Sequence, residues 1–244
     1  MTADRPAPRP QGGIRFSLAR PFVMHNTLVT RCRAGSIPVP MLQTIADDHW
    51  GLPCLAYHVQ PSLESETRAA LERVQQAFAE LWPSPLHVGP RHGLHVTIYP
   101  LVTVKGGFDK EAYWQSIARQ SRGLLEDLCT GHRTLELRFS RLKVTDTAII
   151  ATATEETGLI EAIRKRILRD IPPPPGQKPI MYDLIHSTLA RYRTKESIPD
   201  DVVERIESLP VSIAAPVGQI RLVRETLFPC LATDEIAAFP LIRT

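Results

Sequence analysis

The order of the predicted elements indicates an α+β protein made of two similar halves. A strand–helix–strand unit occurs twice, over residues 52–101 and 148–191. The third strand of each unit carries the same short pattern of histidine, any residue, threonine and an aliphatic residue. The 244 residues, 43% hydrophobic and 23% charged, are enough to bury a core of this size.

The chain before the first unit gives weaker signals. Residues 1–13 are polar and rich in Pro and Gly, so we expect a disordered tail. Residues 14–50 form an N-terminal extension in which 27–32 has the pattern of a strand and 38–49 that of a short helix. The remaining residues, 51–244, are expected to form one folded region.

The first unit begins with a mostly apolar run of strand length at 52–59, which Pro61 closes. Ser62 can cap the next helix, predicted over 63–82, whose apolar residues recur at helical spacing. These are Ala70, Leu71, Val74, Phe78 and Leu81. After a segment rich in Pro and Gly, residues 94–101 are predicted to form a strand.

The second unit follows a helix that Asp109 can cap. The first strand of the second unit, at 148–154, is predicted to form a hairpin with the strand before it. The helix of the unit ends at a run of four prolines, and its last strand is predicted over 181–191. The further predicted elements are a helix over 109–128, a strand over 135–144, a helix over 159–171, a helix over 199–209, and two last paired strands over 211–215 and 219–227.

The repeated pattern is the feature that indicates a function. It reads His95-Val96-Thr97-Ile98 in the first unit and His186-Ser187-Thr188-Leu189 in the second. Alternate residues of a strand share a face, so each strand offers one imidazole and one hydroxyl to the same side. One neutral imidazole can accept a proton from an attacking group, and a protonated one can donate to the leaving oxygen. The hydroxyls can donate hydrogen bonds to phosphoryl oxygens as charge builds there.

With these two motifs the sequence resembles the 2H phosphoesterase superfamily, which includes the RNA 2′,3′-cyclic phosphodiesterases once called 2′-5′ RNA ligases. The second motif, with Ala190 and Arg191 after it, is similar to the C-terminal signature of that family, and the resemblance covers about residues 52–230. It implies two pseudo-symmetric lobes, each an antiparallel sheet with helices, enclosing a central groove. It also implies that His95 and His186 are the catalytic pair and that Thr97 and Thr188 bind phosphate.

The expected activity is hydrolysis of a cyclic phosphate or phosphodiester, with RNA or a nucleotide 2′,3′-cyclic phosphate as the leading substrate. The alternatives are 2′-5′ RNA ligation, action on another small phosphodiester, or a non-catalytic protein that binds RNA ends or nucleotides. The sequence departs from the family just after the first motif. Tyr99 and Pro100 stand there, whereas the RNA phosphodiesterases tend to have a phenylalanine. The extension before residue 51 is a second departure.

Three more residues are candidates for substrate binding. Tyr99 and Tyr192 fall on the same face as the nearby histidines in regular strands and could stack on a base. Arg191, five residues after His186, would face away from it in a regular strand, so a phosphate contact requires a twist or a bulge.

No metal or cofactor is expected. His92 and His95 form an H-x-x-H pattern, but residues three apart on a strand face opposite sides, and a zinc site needs more ligands. The four cysteines lie far apart without a CxxC pattern and are interpreted as reduced thiols. We find neither a signal peptide nor an apolar run that could span a membrane, and we expect a cytoplasmic monomer that binds a nucleotide or an RNA end.

Overall fold

The computed structural model describes residues 41–180 and 182–242. The predicted disordered tail at 1–13 and the predicted strand at 27–32 lie outside these residues. The helices are α1 (Ser65–Leu81), α2 (Lys110–Cys129), α3 (Leu159–Asp170) and α4 (Asp200–Glu207). The strands are β1 (Met41–Gln43), β2 (Pro53–Pro61), β3 (Leu86–Val88), β4 (Tyr99–Val102), β5 (Leu135–Val144), β6 (Ala148–Thr154), β7 (Ile185–Tyr192), β8 (Ser197–Pro199), β9 (Ile213–Val217), β10 (Gln219–Leu227) and β11 (Ala232–Pro240).

The strands form two main antiparallel sheets, as the α+β prediction with two lobes requires. One has the order β11-β10-β2-β4 and the other the order β3-β7-β6-β5-β9, while β1 and β8 pair separately. The two predicted units are confirmed, because β2 lies beside β4 in the first sheet and β6 lies beside β7 in the second. The predicted pairing of the last two strands with each other is wrong. β9 pairs with β5, whereas β10 lies between β2 and β11, a strand that was not predicted.

The helices bury the apolar faces that their sequences predicted. Asp109 caps α2, since its carboxylate accepts a hydrogen bond of 2.9 Å from the backbone N–H of Ala112. α2 packs on the four-stranded sheet and on α3. α1 starts in the first unit but packs against β7 and β9 of the other sheet. Leu71 and Phe78 of α1 are fully buried there, so this helix joins the two halves. None of the described helices has both the length and the apolar character needed to cross a bilayer.

Two strands start later than predicted, and one predicted helix is wrong. β4 begins only at Tyr99, because the chain bends at Ile98 and the residues before it form no continuous ladder with β2. β7 begins at Ile185 rather than at 181. The helix predicted over 38–49 is wrong in its described part, where Met41–Gln43 is a strand whose backbone pairs with β8. That pairing satisfies backbone groups that a helix would have satisfied internally.

Candidate active site

The two motifs lie side by side where the sheets meet. Val96 forms an isolated antiparallel bridge with Ser187, and each is the second residue of its motif. Residues opposite each other in an antiparallel pair share a face, so His95 lies across from Thr188. Thr97 lies across from His186 in the same way. The two histidines are then diagonal neighbours, a relation that separates residues by roughly 7–8 Å. A phosphoryl group fits between two imidazoles at such a spacing.

The faces of the motifs are as the alternation predicted. Val96, Ile98, Ser187 and Leu189 are fully buried behind the motifs. Both histidines and both threonines line a cleft of about 430 Å³. Among the described residues, neither the Thr97 nor the Thr188 hydroxyl has a hydrogen-bond partner, so both are free to donate to a ligand. The cleft is also lined by the side chains of His49, Trp50, His58, Lys105, Tyr182, Arg191, Glu225 and Phe228.

A bulge in β7 decides where Arg191 points. Ile149 pairs with Ala190 but Ile150 pairs with Thr188, so Leu189 is an extra residue without a partner in β6. Its carbonyl accepts a hydrogen bond of 2.7 Å from the side-chain amide of Gln75 in α1. The bulge reverses the alternation after Thr188, which turns Arg191 into the cleft.

The same bulge turns Tyr192 away from the cleft, and this sequence-based candidate is corrected. Tyr192 is 2% exposed, and its hydroxyl donates to the carbonyl of Thr145 at 2.8 Å. Tyr192 therefore packs in the core and does not line the cleft.

Tyr99 is also turned away, for a similar reason in the first motif. Val59 pairs with Tyr99 and His58 pairs with Pro100, so it is His58 and Pro100 that share the cleft side. Ile98 bends the chain between Thr97 and Tyr99, and both Ile98 and Tyr99 are buried. The prediction that Tyr99 faces the cleft with His95 is thus wrong, because the alternation does not continue through this bend.

Arg164 of α3 joins the two motif segments. Its Nε donates to the carbonyl of Ile98 at 2.9 Å, and its Nη2 donates to the carbonyl of Leu184 at 2.7 Å. Arg164 is only 8% exposed although it carries a charge. These charge-assisted bonds hold the end of one motif beside the start of the other.

His95 is oriented by a backbone hydrogen bond. Its Nδ1 lies 2.7 Å from the carbonyl of Gly93, an acceptor, so Nδ1 carries the hydrogen in the neutral ring. The lone pair is then on Nε2. Burial lowers the pKa of His95 to about 4, although the bond to Gly93 opposes this effect. His95 is therefore a neutral imidazole at pH 7 with one nitrogen available to accept a proton.

His186 has a different environment. Burial lowers its pKa, and the positive charges of Arg164 and Arg191 lower it further. Its Nδ1 is buried and has no hydrogen-bond partner among the described residues. An anion bound in the cleft would favour the protonated form of this ring, because it would offset the two guanidinium groups.

Three further groups cluster beside the motifs and could in principle hold an ion. His58, Glu225 and Cys230 offer ligand atoms that lie within 4.8 Å of one another. Glu225 accepts from the backbone N–H of Cys230 at 2.6 Å, and its other oxygen lies 2.7 Å from Nε2 of His58. The Cys230 sulfur accepts from Gln60 at 3.5 Å. Hydrogen bonds therefore account for this cluster without an ion. His92 does not join it; its Nε2 lies 3.2 Å from the carbonyl of Leu231.

Several residues of the cleft were not predicted from the sequence. Glu225 lies in β10, a strand that mixes polar and apolar residues, so the sequence does not distinguish it from its exposed polar neighbours. His49 and Trp50 belong to the extension, which has no recognisable motif. Their position depends on pairing with residues far along the chain.

No protein-family model matches this sequence, and no curated protein matches it significantly. Solved structures do share its fold. TT0787 of Thermus thermophilus is 20% identical with a TM-score of 0.54, and the match covers 76% of this chain and 97% of that one. A protein described as a phosphoesterase is 14% identical with a TM-score of 0.52, covering 77% and 98%. LigT of E. coli in complex with 3′-AMP is 12% identical with a TM-score of 0.51, also covering 77% and 98%.

These likenesses show that the chain shares the fold of these proteins. The chain spans almost the full length of each of these structures, so the whole bilobal arrangement is shared.

Proposed function

We propose that the chain is a phosphoesterase that hydrolyses a cyclic phosphate or phosphodiester by two-histidine acid–base catalysis. The leading substrate is an RNA or nucleotide 2′,3′-cyclic phosphate. The observation that carries the proposal is the bridge between Val96 and Ser187, which directs two histidines and two threonines into one cleft. The complex of E. coli LigT with 3′-AMP supports it, because a protein of this fold binds a nucleoside monophosphate.

The environments of the two rings suggest a division of roles. His95, neutral and with Nε2 free, takes a proton from a water molecule that attacks phosphorus. His186 in its protonated form gives its proton to the ribose oxygen that leaves, so the ring opens to a phosphomonoester. Thr97 and Thr188 donate to the non-bridging oxygens, on which negative charge increases in the transition state. Arg191, which also lines the cleft, adds a positive charge that attracts the phosphate.

The test is a substrate screen with variants. Wild-type protein is incubated with 2′,3′-cyclic mononucleotides, with RNA ending in a cyclic phosphate, and with linear 2′-5′ and 3′-5′ oligonucleotides, and the products are mapped. His95→Ala and His186→Ala should each lower kcat/KM by roughly 10²- to 10⁴-fold. The loss of kcat/KM in the double variant should be much smaller than the product of the two single losses, because the two groups act as a unit.

His92→Ala is the matched control, since His92 is exposed and outside the cleft lining, and it should retain activity. The profile of kcat/KM against pH should be bell-shaped, with the acidic limb lost in His95→Ala and the alkaline limb lost in His186→Ala. A folded His186→Ala protein with full activity and an intact bell would refute the two-histidine mechanism. Binding of nucleotides without any turnover by the wild type would favour the non-catalytic alternative.

A further inference from the structure

Residues 41–52, here called the strap, precede the region that resembles the family, and they close one end of the cleft. The backbone N–H of Asp47 donates to the carbonyl of Tyr192 at 2.8 Å, at the end of β7. The N–H of Gly51 donates to the carbonyl of Phe228 at 2.7 Å, just after β10. β7 and β10 belong to different sheets, so the strap bridges the two lobes.

The strap also contacts Arg191, one of the cationic side chains that line the cleft. One carboxylate oxygen of Asp47 accepts from the N–H of His49 at 3.1 Å, and the other lies 3.3 Å from Nη1 of Arg191. The Arg191 guanidinium lies over the ring of Phe228, 5.1 Å from its centroid. Arg191 is thereby fixed between the strap and Phe228 rather than free to move in solvent.

Two rings of the strap give this end of the cleft an aromatic character. Trp50 stacks on His87 with centroids 4.7 Å apart and an angle of 7° between the planes. His49 meets the Phe228 ring edge-on at 6.3 Å. Trp50, His49 and Phe228 line the cleft, whereas His87 does not. His87 therefore supports the indole from outside the cleft, and a stacked ring loses little freedom when a ligand binds.

We propose that the strap is the nucleobase subsite and that Trp50 is its main contact, an inference that rests on the proposed function. The middle of the cleft presents histidines and hydroxyls suited to phosphate, and the strap end presents aromatic faces beside a guanidinium. A nucleoside phosphate combines the same two chemistries, because every base has a π-face that stacks on an aromatic side chain. The substrate class is thus a nucleoside 2′,3′-cyclic phosphate, free or at an RNA end, in preference to cyclic phosphates without a base.

The kinetic test compares adenosine 2′,3′-cyclic phosphate with ribose 2′,3′-cyclic phosphate, which lacks the base. In Trp50→Leu the ratio of kcat/KM for the two compounds should fall by roughly 5- to 150-fold, the loss expected for one base–aromatic stack. The change should appear mainly in KM. Trp82→Leu is the matched control, because Trp82 is also partly exposed but packs edge-on against Tyr192, away from the cleft. It should keep the wild-type ratio.

A binding test separates this inference from the proposed function. Tryptophan fluorescence is titrated with 3′-AMP and with ribose phosphate. Quenching by 3′-AMP in the wild type and in Trp82→Leu, but not in Trp50→Leu, would support the subsite even if no compound is turned over. An unchanged substrate ratio and unchanged quenching in Trp50→Leu would overturn the subsite while leaving the phosphoesterase proposal standing.

Discussion

Replacing His95 by asparagine should separate the chemistry of this residue from its local hydrogen bond. The side-chain amide of asparagine places an N–H close to the position of Nδ1, so the bond to the Gly93 carbonyl can be retained. The nitrogen that accepts the substrate proton is removed. We expect His95→Asn to fold and to lower kcat/KM by roughly 10²- to 10⁴-fold.

The same variant should change how stability depends on pH. The pKa of His95 is lowered by burial to about 4 in the folded protein, against a usual value of about 6.5 in the unfolded chain. Between these values the unfolded chain binds a proton that the folded protein does not. The stabilisation from a neutral His95 is therefore present above about pH 6.5 and is lost as the pH falls towards 4. The full difference corresponds to about 3 kcal/mol, of which about 2 kcal/mol is lost between pH 7 and pH 5.

The assay is urea unfolding of the wild type, His95→Asn and His92→Asn at pH 7, 6 and 5. The wild type and the exposed-site control His92→Asn should lose stability in parallel. His95→Asn should lose about 2 kcal/mol less than the wild type over this range, because it has no buried imidazole to protonate. Parallel loss in all three proteins would show that burial does not lower the pKa of His95, and the assignment of His95 as the neutral base would then fail.

Two further predictions concern the threonines and metals. Thr97→Val and Thr188→Val keep the shape of the side chain and remove the donor, so each should lower kcat by roughly 10- to 1000-fold in a steady-state assay; near wild-type rates in both would mean that they only form the strand. Activity should persist after exhaustive treatment with EDTA, since the hydrogen bonds of His58, Glu225 and Cys230 account for that cluster without an ion. Loss of activity that Zn²⁺ or Mn²⁺ restores would contradict this.

The sequence was sufficient for the parts of the fold that local patterns determine. Strand alternation and helical spacing predicted the β5–β6 hairpin and the three longer helices closely, since these elements form from neighbouring residues. It failed for pairing between distant strands. β9 and β10 are adjacent in sequence and resemble a hairpin, but Gly218 separates strands that belong to different sheets. No local pattern distinguishes these two outcomes.

The site shows the same division at the level of single residues. The repeated motif predicted which side of each strand His95, Thr97, His186 and Thr188 face, because alternation holds within each motif. Beyond the motifs the alternation fails, and the candidate Arg191 enters the cleft only because β7 bulges at Leu189. The bulge is stabilised by Gln75, a residue 114 positions earlier in the chain, so its effect could not be predicted from the strand itself.

The two motifs are equivalent in sequence, and residues outside them make the two histidines different. A symmetric site would give both imidazoles the same environment, and neither ring would be committed to accepting or donating the proton. Here the Gly93 carbonyl fixes the tautomer of His95, whereas His186 has no such partner among the described residues and faces two guanidinium groups. Acid–base pairs work when their surroundings favour different protonation states. Arg191 lowers the pKa of both histidines, whereas Arg164 lowers that of His186. The proposed roles of base and acid therefore follow from Gly93 and Arg164 rather than from the repeated motif.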